Sequence, residues 1–247
     1  MKKPRPKVLA FNSSPHKGKG NTALILDPFL EGMREAGAEV ELFYNDELKV
    51  KPCRGCFNCW IKTPGDCSQK DDMTWLLPRM READVVVCAT PVYSYGMTGQ
   101  MKNLVDRMIP IADPFMEVVG GRSRHISGAG DKHHKIVLVS SCGLWNMDNF
   151  DPLVAHVKKM CQDPPVEYGG ALLRPHGMVL RTMLDMGAPV NDIIEAANDA
   201  GRQLIETGRI SQVTQDVISR ELLPIELYVR MANEQFRHVM AKRKVKN

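Results

Sequence analysis

The sequence predicts a three-layer α/β sandwich on a parallel sheet of five strands in the order 2-1-3-4-5. Three observations predict it. Short apolar runs alternate with segments of helical periodicity through most of the chain. The run Val85-Val86-Val87-Cys88-Ala89 is apolar at consecutive positions, as in a strand covered on both faces. Loops rich in Ser, Gly and Asn leave the strands where helices begin, the edge at which such sheets bind ligands.

The elements follow in order. Residues 7–12 form a buried strand, and residues 22–36 a helix with Leu24, Ile25, Phe29, Leu30 and Met33 on one face and Gly37 as its stop. Residues 39–44 alternate as a second strand. Residues 46–73 form a cysteine-rich loop, long enough to be functional on length alone. Asp71-Asp72 then caps a helix running to about residue 82. Strand three covers 84–89, and 99–108 is helical. Residues 110–134, rich in Gly and basic side chains, read as an irregular excursion. A fourth strand (135–140), a helix (149–161), a fifth strand (166–174) and a helix (191–207) ended by Gly208 complete the pattern. The expected division is a domain over residues 1–208 and a C-terminal helical extension over 209–247. In the extension, residues 217–242 have helical spacing through Leu223, Leu227, Met231 and Phe236, interrupted by Pro224. Such an appended helix is expected to pack on a second subunit.

A chain of 247 residues with 43% hydrophobic and 25% charged residues has the composition of a soluble globular protein. The net charge of +4 is too mild for a nucleic-acid surface, and part of it lies in basic tails: Lys2, Lys3, Arg5 and Lys7, then Lys242, Arg243, Lys244 and Lys246. No segment resembles a signal peptide and no apolar stretch is long enough to span a bilayer, so the expectation is a cytoplasmic protein without nucleic-acid or membrane partners. Seven cysteines in a reducing compartment argue for metal, cluster or thiol chemistry over disulfides.

Four of them, Cys53, Cys56, Cys59 and Cys67, have the spacing C-x2-C-x2-C-x7-C. Three readings are open. Four thiolates so arranged suit a cubane iron–sulfur cluster. Zinc also takes four, but usually from two separated C-x2-C knuckles. The third reading is a loop whose thiols serve packing or thiol redox. Lys51, Arg54, Lys62 and Lys70 lie close in sequence; they would raise a cluster's potential, or simply solvate the loop.

Strand one runs into Ser13-Ser14-Pro15-His16-Lys17-Gly18-Lys19-Gly20-Asn21-Thr22. This is neither a Walker A loop nor a G-x-G-x-x-G fingerprint. Hydroxyls and free amides at a helix N-terminus suit a monoester phosphate held without a metal, such as that of FMN; an ordinary capped βα turn is the plain alternative. A second loop, Pro91-Val92-Tyr93-Ser94-Tyr95-Gly96, follows strand three, with two tyrosines suited to a flat ring. A third, Ser141-Cys142-Gly143, leaves strand four at the same edge. Cys142 is a candidate flavin neighbour there and His16 a candidate phosphate contact. Trp60 and Trp145 read as apolar walls for a flavin or a partner subunit, or as core. Cys88 and Cys161 read as core thiols, and His133-His134 as turn surface. No Ser-His-Asp or paired-carboxylate arrangement is legible, so no catalytic side chain is assigned.

These motifs resemble the NADPH-dependent FMN reductase-like flavodoxins, and within them the iron–sulfur flavoproteins, over roughly residues 7 to 210. Ser13, Ser14, Pro15, Gly20, Asn21 and Thr22 match the loop that binds the FMN phosphate. Pro91, Tyr93, Tyr95, Gly96, Thr98, Gly99, Gln100 and Lys102, continued by Asp106-Arg107, match the segment against the isoalloxazine. The Ser141–Cys142–Gly143 loop is similar to the family's third flavin contact. In the iron–sulfur branch Cys53, Cys56, Cys59 and Cys67 fall on the ligands of a [4Fe-4S] cluster, with a final gap at the long end for that branch. The resemblance implies a flavodoxin-like fold and an FMN oxidoreductase passing electrons between cluster and flavin. It also implies a homodimer or homotetramer, and NAD(P)H or a ferredoxin-like protein as possible donor. Two alternatives stand beside it: an NAD(P)H-dependent FMN or quinone reductase without a cluster, and a non-catalytic flavin electron carrier or redox sensor.

Overall fold

The computed structural model describes residues 4–126 and 132–244. Its sheet strands are β1 (Lys7–Asn12), β2 (Glu39–Tyr44), β3 (Val85–Pro91), β6 (His134–Ser141) and β7 (Val166–Arg174); β4 (Met116–Val119) and β5 (Arg122–His125) form a separate antiparallel hairpin. The helices are α1 (Ala23–Glu35), α2 (Asn58–Ile61), α3 (Met73–Glu82), α4 (Gly99–Asp106), α5 (Asp151–Met160), α6 (Gly177–Asp185), α7 (Asn191–Thr207), α8 (Gln212–Ser219) and α9 (Ile225–Lys244). The large sheet is parallel throughout in the order β2-β1-β3-β6-β7. With the hairpin set aside, that is the predicted 2-1-3-4-5.

Successive strand residues point to opposite faces, so each strand feeds two cores. Val8 and Ala10 of β1, Val85, Val87 and Ala89 of β3, and Val137 and Val139 of β6 pack with α1 and α7. Leu9, Phe11, Val86, Cys88, Ile136 and Leu138 pack with α3, α4 and α5 on the other face. On the first face α1 and α7 touch backbone to backbone. A Cβ at Gly32 would lie 1.8 Å from the Asn198 carbonyl oxygen, and one at Gly201 2.1 Å from that of Phe29.

Four expectations change. Residues 177–185, given no element from the sequence, form α6, which starts immediately after Pro175-His176. The excursion holds the β4–β5 hairpin, although residues 127–131 of it lie outside the described residues. The helix from residue 99 stops at Asp106, with Arg107 as its cap, whose backbone (φ −91°, ψ 3°) leaves the helical region. The helix expected from residue 149 starts at Asp151 after a 3-10 turn over Met147–Phe150.

The C-terminal extension begins by packing on its own chain. The α8 helix lies against α7 and β7, and the following residues reach the third loop. Beyond that, α9 exposes Val229, Met231, Phe236, Val239 and Met240. Lys2, Lys3 and Lys246 of the basic tails lie outside the described residues. Among the described residues no helix is long and apolar enough to cross a membrane.

Candidate functional site

The three loops singled out in the sequence meet at one edge of the sheet. Ser13 is tied to β3, its N–H and hydroxyl both donating to the Ala89 carbonyl at 2.9 and 3.2 Å. Thr22 does not cap α1 with its side chain; its hydroxyl meets that of Ser141 at 2.8 Å, joining the first loop to the third. The Val92 N–H donates to the Ser141 carbonyl at 2.9 Å, joining the second to the third. Ser140 Oγ donates to Thr90 O at 2.7 Å just beneath.

The first loop is a cradle without a bulky wall. Ser13, Ser14, Gly20 and Thr22 are buried, Asn21 is half-buried, and Pro15 and His16 are exposed at the rim. A Cβ at Gly20 would sit 2.5 Å from Ser14 Oγ, so only glycine closes the loop over that serine. The N–H groups of Lys17, Lys19 and Gly20 are spent on local backbone carbonyls and those of Ser14 and His16 on side-chain oxygens, but the N–H groups of Gly18, Asn21 and Thr22 meet no backbone acceptor among the described residues. Asn12, fully buried at the base, accepts from Ser14 N through Oδ1 and leaves Nδ2 without a partner. Unspent donors at a helix N-terminus fit a phosphate monoester. Arg181 of α6 holds the loop from behind, donating to the Lys19 and Gly20 carbonyls at 3.0 Å each. The sequence reading missed it, although Leu180, Met183 and Leu184 carry a helical spacing that would have revealed α6.

In the second loop Tyr93 and Gly96 pair as a tight hairpin whose central residues, Ser94 and Tyr95, both have positive φ (48° and 63°). Side chains other than Gly, Asn and Asp rarely enter that region, and such strain gathers at sites where a loop must present a surface. Tyr93 and Tyr95 are both exposed, on either side of Ser94, with Pro91 and Val92 half-buried beneath. Thr98 then caps α4 through its hydroxyl. In the third loop Cys142 is buried, and burial raises its thiol pKa. Gly143 and Leu144 face solvent.

Cys53, Cys56, Cys59 and Cys67 line one cavity together with Arg54, Phe57, Gln69 and Arg107. Left-handed backbone at Gly55 and Phe57 (φ 61° and 53°) turns the chain between the cysteines. Burial raises the Cys59 thiol pKa, and the neighbouring Cys67, Cys56 and Cys53 add to it. Among the described residues no three His, Cys, Asp or Glu side chains converge tightly enough for a single metal ion. The donor set fits a cluster: four soft thiols around one space, with Arg107 donating to Cys67 Sγ at 3.3 Å.

The remaining singled-out residues fall elsewhere. Trp60 stacks on Phe57 and donates to Ala112 O at 2.8 Å, bracing the cysteine loop against the excursion. Trp145 stacks on His176 and donates to Leu223 O at 2.9 Å, bracing the third loop against the extension. Cys88 is buried inside β3 and Cys161 is half-buried against the same core, and burial pushes both thiol pKa values up to about 12. His134 starts β6, its Nδ1 2.7 Å from Ala83 O.

A doubly wound parallel sheet with a loop of small hydroxylated residues after β1 and a two-tyrosine loop after β3 defines a flavodoxin-like fold. The family described as NADPH-dependent FMN reductase matches residues 6–149, more than half of the chain, and the chain belongs to that family. An iron-sulfur flavoprotein of Archaeoglobus fulgidus is 43% identical over 101 residues, covering 41% of this chain and 48% of the relative. One from Methanocaldococcus jannaschii is 36% identical over 117 residues, covering 47% of this chain and 59% of the relative. The chain thus spans about half the length of these relatives in the match. Among solved structures, an FMN-dependent NADH-azoreductase from Bacillus anthracis in complex with FMN superposes with a TM-score of 0.59 at 15% identity, covering 81% of this chain and all of that one. An NAD(P)H:quinone oxidoreductase from Methanothermobacter marburgensis gives 0.56 at 17%, over 81% and 98%. At such identities the likeness concerns the fold alone.

Proposed function

We propose that the protein is an FMN-dependent oxidoreductase of the iron–sulfur flavoprotein type, passing electrons between a [4Fe-4S] cluster on Cys53, Cys56, Cys59 and Cys67 and an FMN at the three-loop edge. The observation that carries the reading is the coexistence in one chain of two separate sites of matched chemistry: a cradle of unspent donors and a cavity lined by four thiols. The flavin exchanges electrons in pairs and a cubane one at a time, so the two together connect one-electron and two-electron partners. In this reading the unspent N–H groups of Asn21 and Thr22 and the Ser14 hydroxyl hold the phosphate, Ser13 and Gly20 shape the loop around it with their own donors tied to Ala89 and Lys17, and Pro15 and His16 lie at the rim. Pro91, Val92, Tyr93, Ser94, Tyr95 and Gly96 present the ring surface. Ser141, Cys142 and Gly143 close the third side.

Residues 1–208 are the FMN-binding domain and 209–247 an extension whose exposed α9 face meets a second copy in a homodimer or homotetramer. The donor is NAD(P)H or a ferredoxin-like protein. The test is iron, acid-labile sulfide and FMN per chain on protein purified without oxygen. About four irons and four sulfides per FMN are expected for a cubane. Bound FMN with neither would leave a clusterless reductase and make NAD(P)H turnover the next assay; flavin that no donor reduces would leave a carrier or sensor.

A further inference from the structure

Arg107 follows α4 in sequence, and its side chain is buried to 1% exposure at the inner wall of the cysteine cavity. Its guanidinium is shared among three groups. Nη1 donates to the Lys51 carbonyl at 2.7 Å and to Asp71 Oδ2 at 2.7 Å. Nη2 donates to Asp71 Oδ1 at 3.0 Å and to Cys67 Sγ at 3.3 Å. Nε has no partner. Asp71 is equally buried and is fixed in turn by the N–H groups of Lys51 and Met73. The fourth cysteine therefore faces a fixed cation whose own counter-ion is bonded to the same nitrogen, Nη2. The lysines and arginine near the other cysteines are surface groups screened by water, whereas this pair is not.

We propose that the Arg107–Asp71 pair sets the reduction potential of the group held by the four cysteines, Arg107 raising it through the N–H···S bond to Cys67 and Asp71 moderating that effect. This inference rests on the cluster reading above. Gaining an electron makes a thiolate-bound cluster more negative. A cation bonded to a ligand sulfur stabilises the reduced form, and a carboxylate bonded to that cation offsets part of the gain. Arg107 is thus a positioning and tuning residue that acts through Cys67.

The test is the midpoint potential of the cluster in the anaerobically purified full chain, followed spectroscopically, in wild type, Asp71→Asn and the double variant Asp71→Asn/Arg107→Gln. The single variant Arg107→Gln would bury an unpaired carboxylate, which is strongly destabilising, and the double variant avoids this by replacing both charges with amides. Asp71→Asn is expected to shift the potential up, and the double variant to bring it below that of Asp71→Asn. Shifts of opposite sign at constant iron content are not what a purely structural role produces. Potentials that agree across the three proteins, or a double variant at or above Asp71→Asn, overturn the inference and leave the cluster reading intact. Wild-type protein without iron overturns the cluster reading, and the inference with it.

Discussion

Arg107 and Arg174 are both buried, one behind the cysteine cavity and the other beneath the third loop, but their surroundings treat the charge in opposite ways. Arg107 faces a carboxylate in a two-pronged pair. Burial opposes its charge, yet the hydrogen bonds to Asp71 overcome that and raise its pKa; the same bonds hold Asp71 below the usual carboxylate range against its own burial. Arg174 has only neutral partners: the Pro175, Ile218 and Arg220 carbonyls at 2.7–2.8 Å and His176 Nε2 at 3.1 Å. Burial, and then the Arg220 charge, push its pKa down to about 10. The first region keeps a charge pair beside thiols. The second spends a cation on gathering backbone carbonyls, which fastens α8 and the chain after it to the end of β7. One arrangement provides an electrostatic field and the other a clasp.

The contrast can be broken most forcefully at the pair. Removing one partner of a buried ion pair typically costs about 3–5 kcal/mol, while replacing both with apolar groups is often near neutral. Arg107→Leu should therefore lower stability by about 4 kcal/mol in urea unfolding, and Arg107→Leu/Asp71→Leu should recover most of it. Failure of the double variant to recover would show that the pair's other bonds, to Lys51 and Cys67, matter more than its charges.

The clasp should announce itself through pH. His176 is buried with a left-handed backbone (φ 39°), and its Nε2 accepts from Arg174 and from the Leu222 N–H at 3.2 Å. Burial, with the Arg174 charge adding to it, holds its pKa down at about 4 against an ordinary 6.5. The unfolded chain takes up this proton near pH 6.5, whereas the folded chain does not until about pH 4. Stability from this group is therefore complete above pH 6.5 and is lost as pH falls through that window, by about 3 kcal/mol at pH 4. His176→Asn, which tolerates the left-handed backbone, should flatten that part of the stability–pH curve. An unchanged slope would place the acid sensitivity elsewhere.

The smallest expected effect lies at the outer end of the clasp. The Tyr228 hydroxyl of α9 donates to the Gly143 carbonyl, and its ring tilts against His176. Tyr228→Phe removes a single hydrogen bond, worth about 1 kcal/mol. Its sharper readout is FMN affinity, expected to weaken severalfold if the extension orders the third loop for the flavin. Unchanged affinity would make the clasp a fastening for α9 alone.

Much of this was legible in the residues. The first, second and fifth sheet strands stand at their expected bounds because each is a buried or alternating run closed by a turn signal, and α7 ends at Gly208 because its left-handed cap (φ 78°) suits glycine. The cradle was legible because local chemistry makes it: small hydroxylated residues between a strand and a helix. The cysteine spacing was legible for the same reason. What spacing does not carry is the partner brought from far along the chain. In sequence Arg107 only continues the motif matched to the isoalloxazine segment; folding sets its side chain instead against Asp71, 36 residues earlier, and Cys67, 40 residues earlier. Trp145 read equally well as wall or core until Leu223, 78 residues later, took its N–H. By itself the sequence determined the sheet, the loops at its ligand edge and the kinds of chemistry there, since periodicity and turn chemistry act over a few residues. Which charges are buried, what neutralises them and how the extension clasps the third loop were decided only by the tertiary structure, because desolvation and long-range hydrogen bonds exist only once distant segments are packed together.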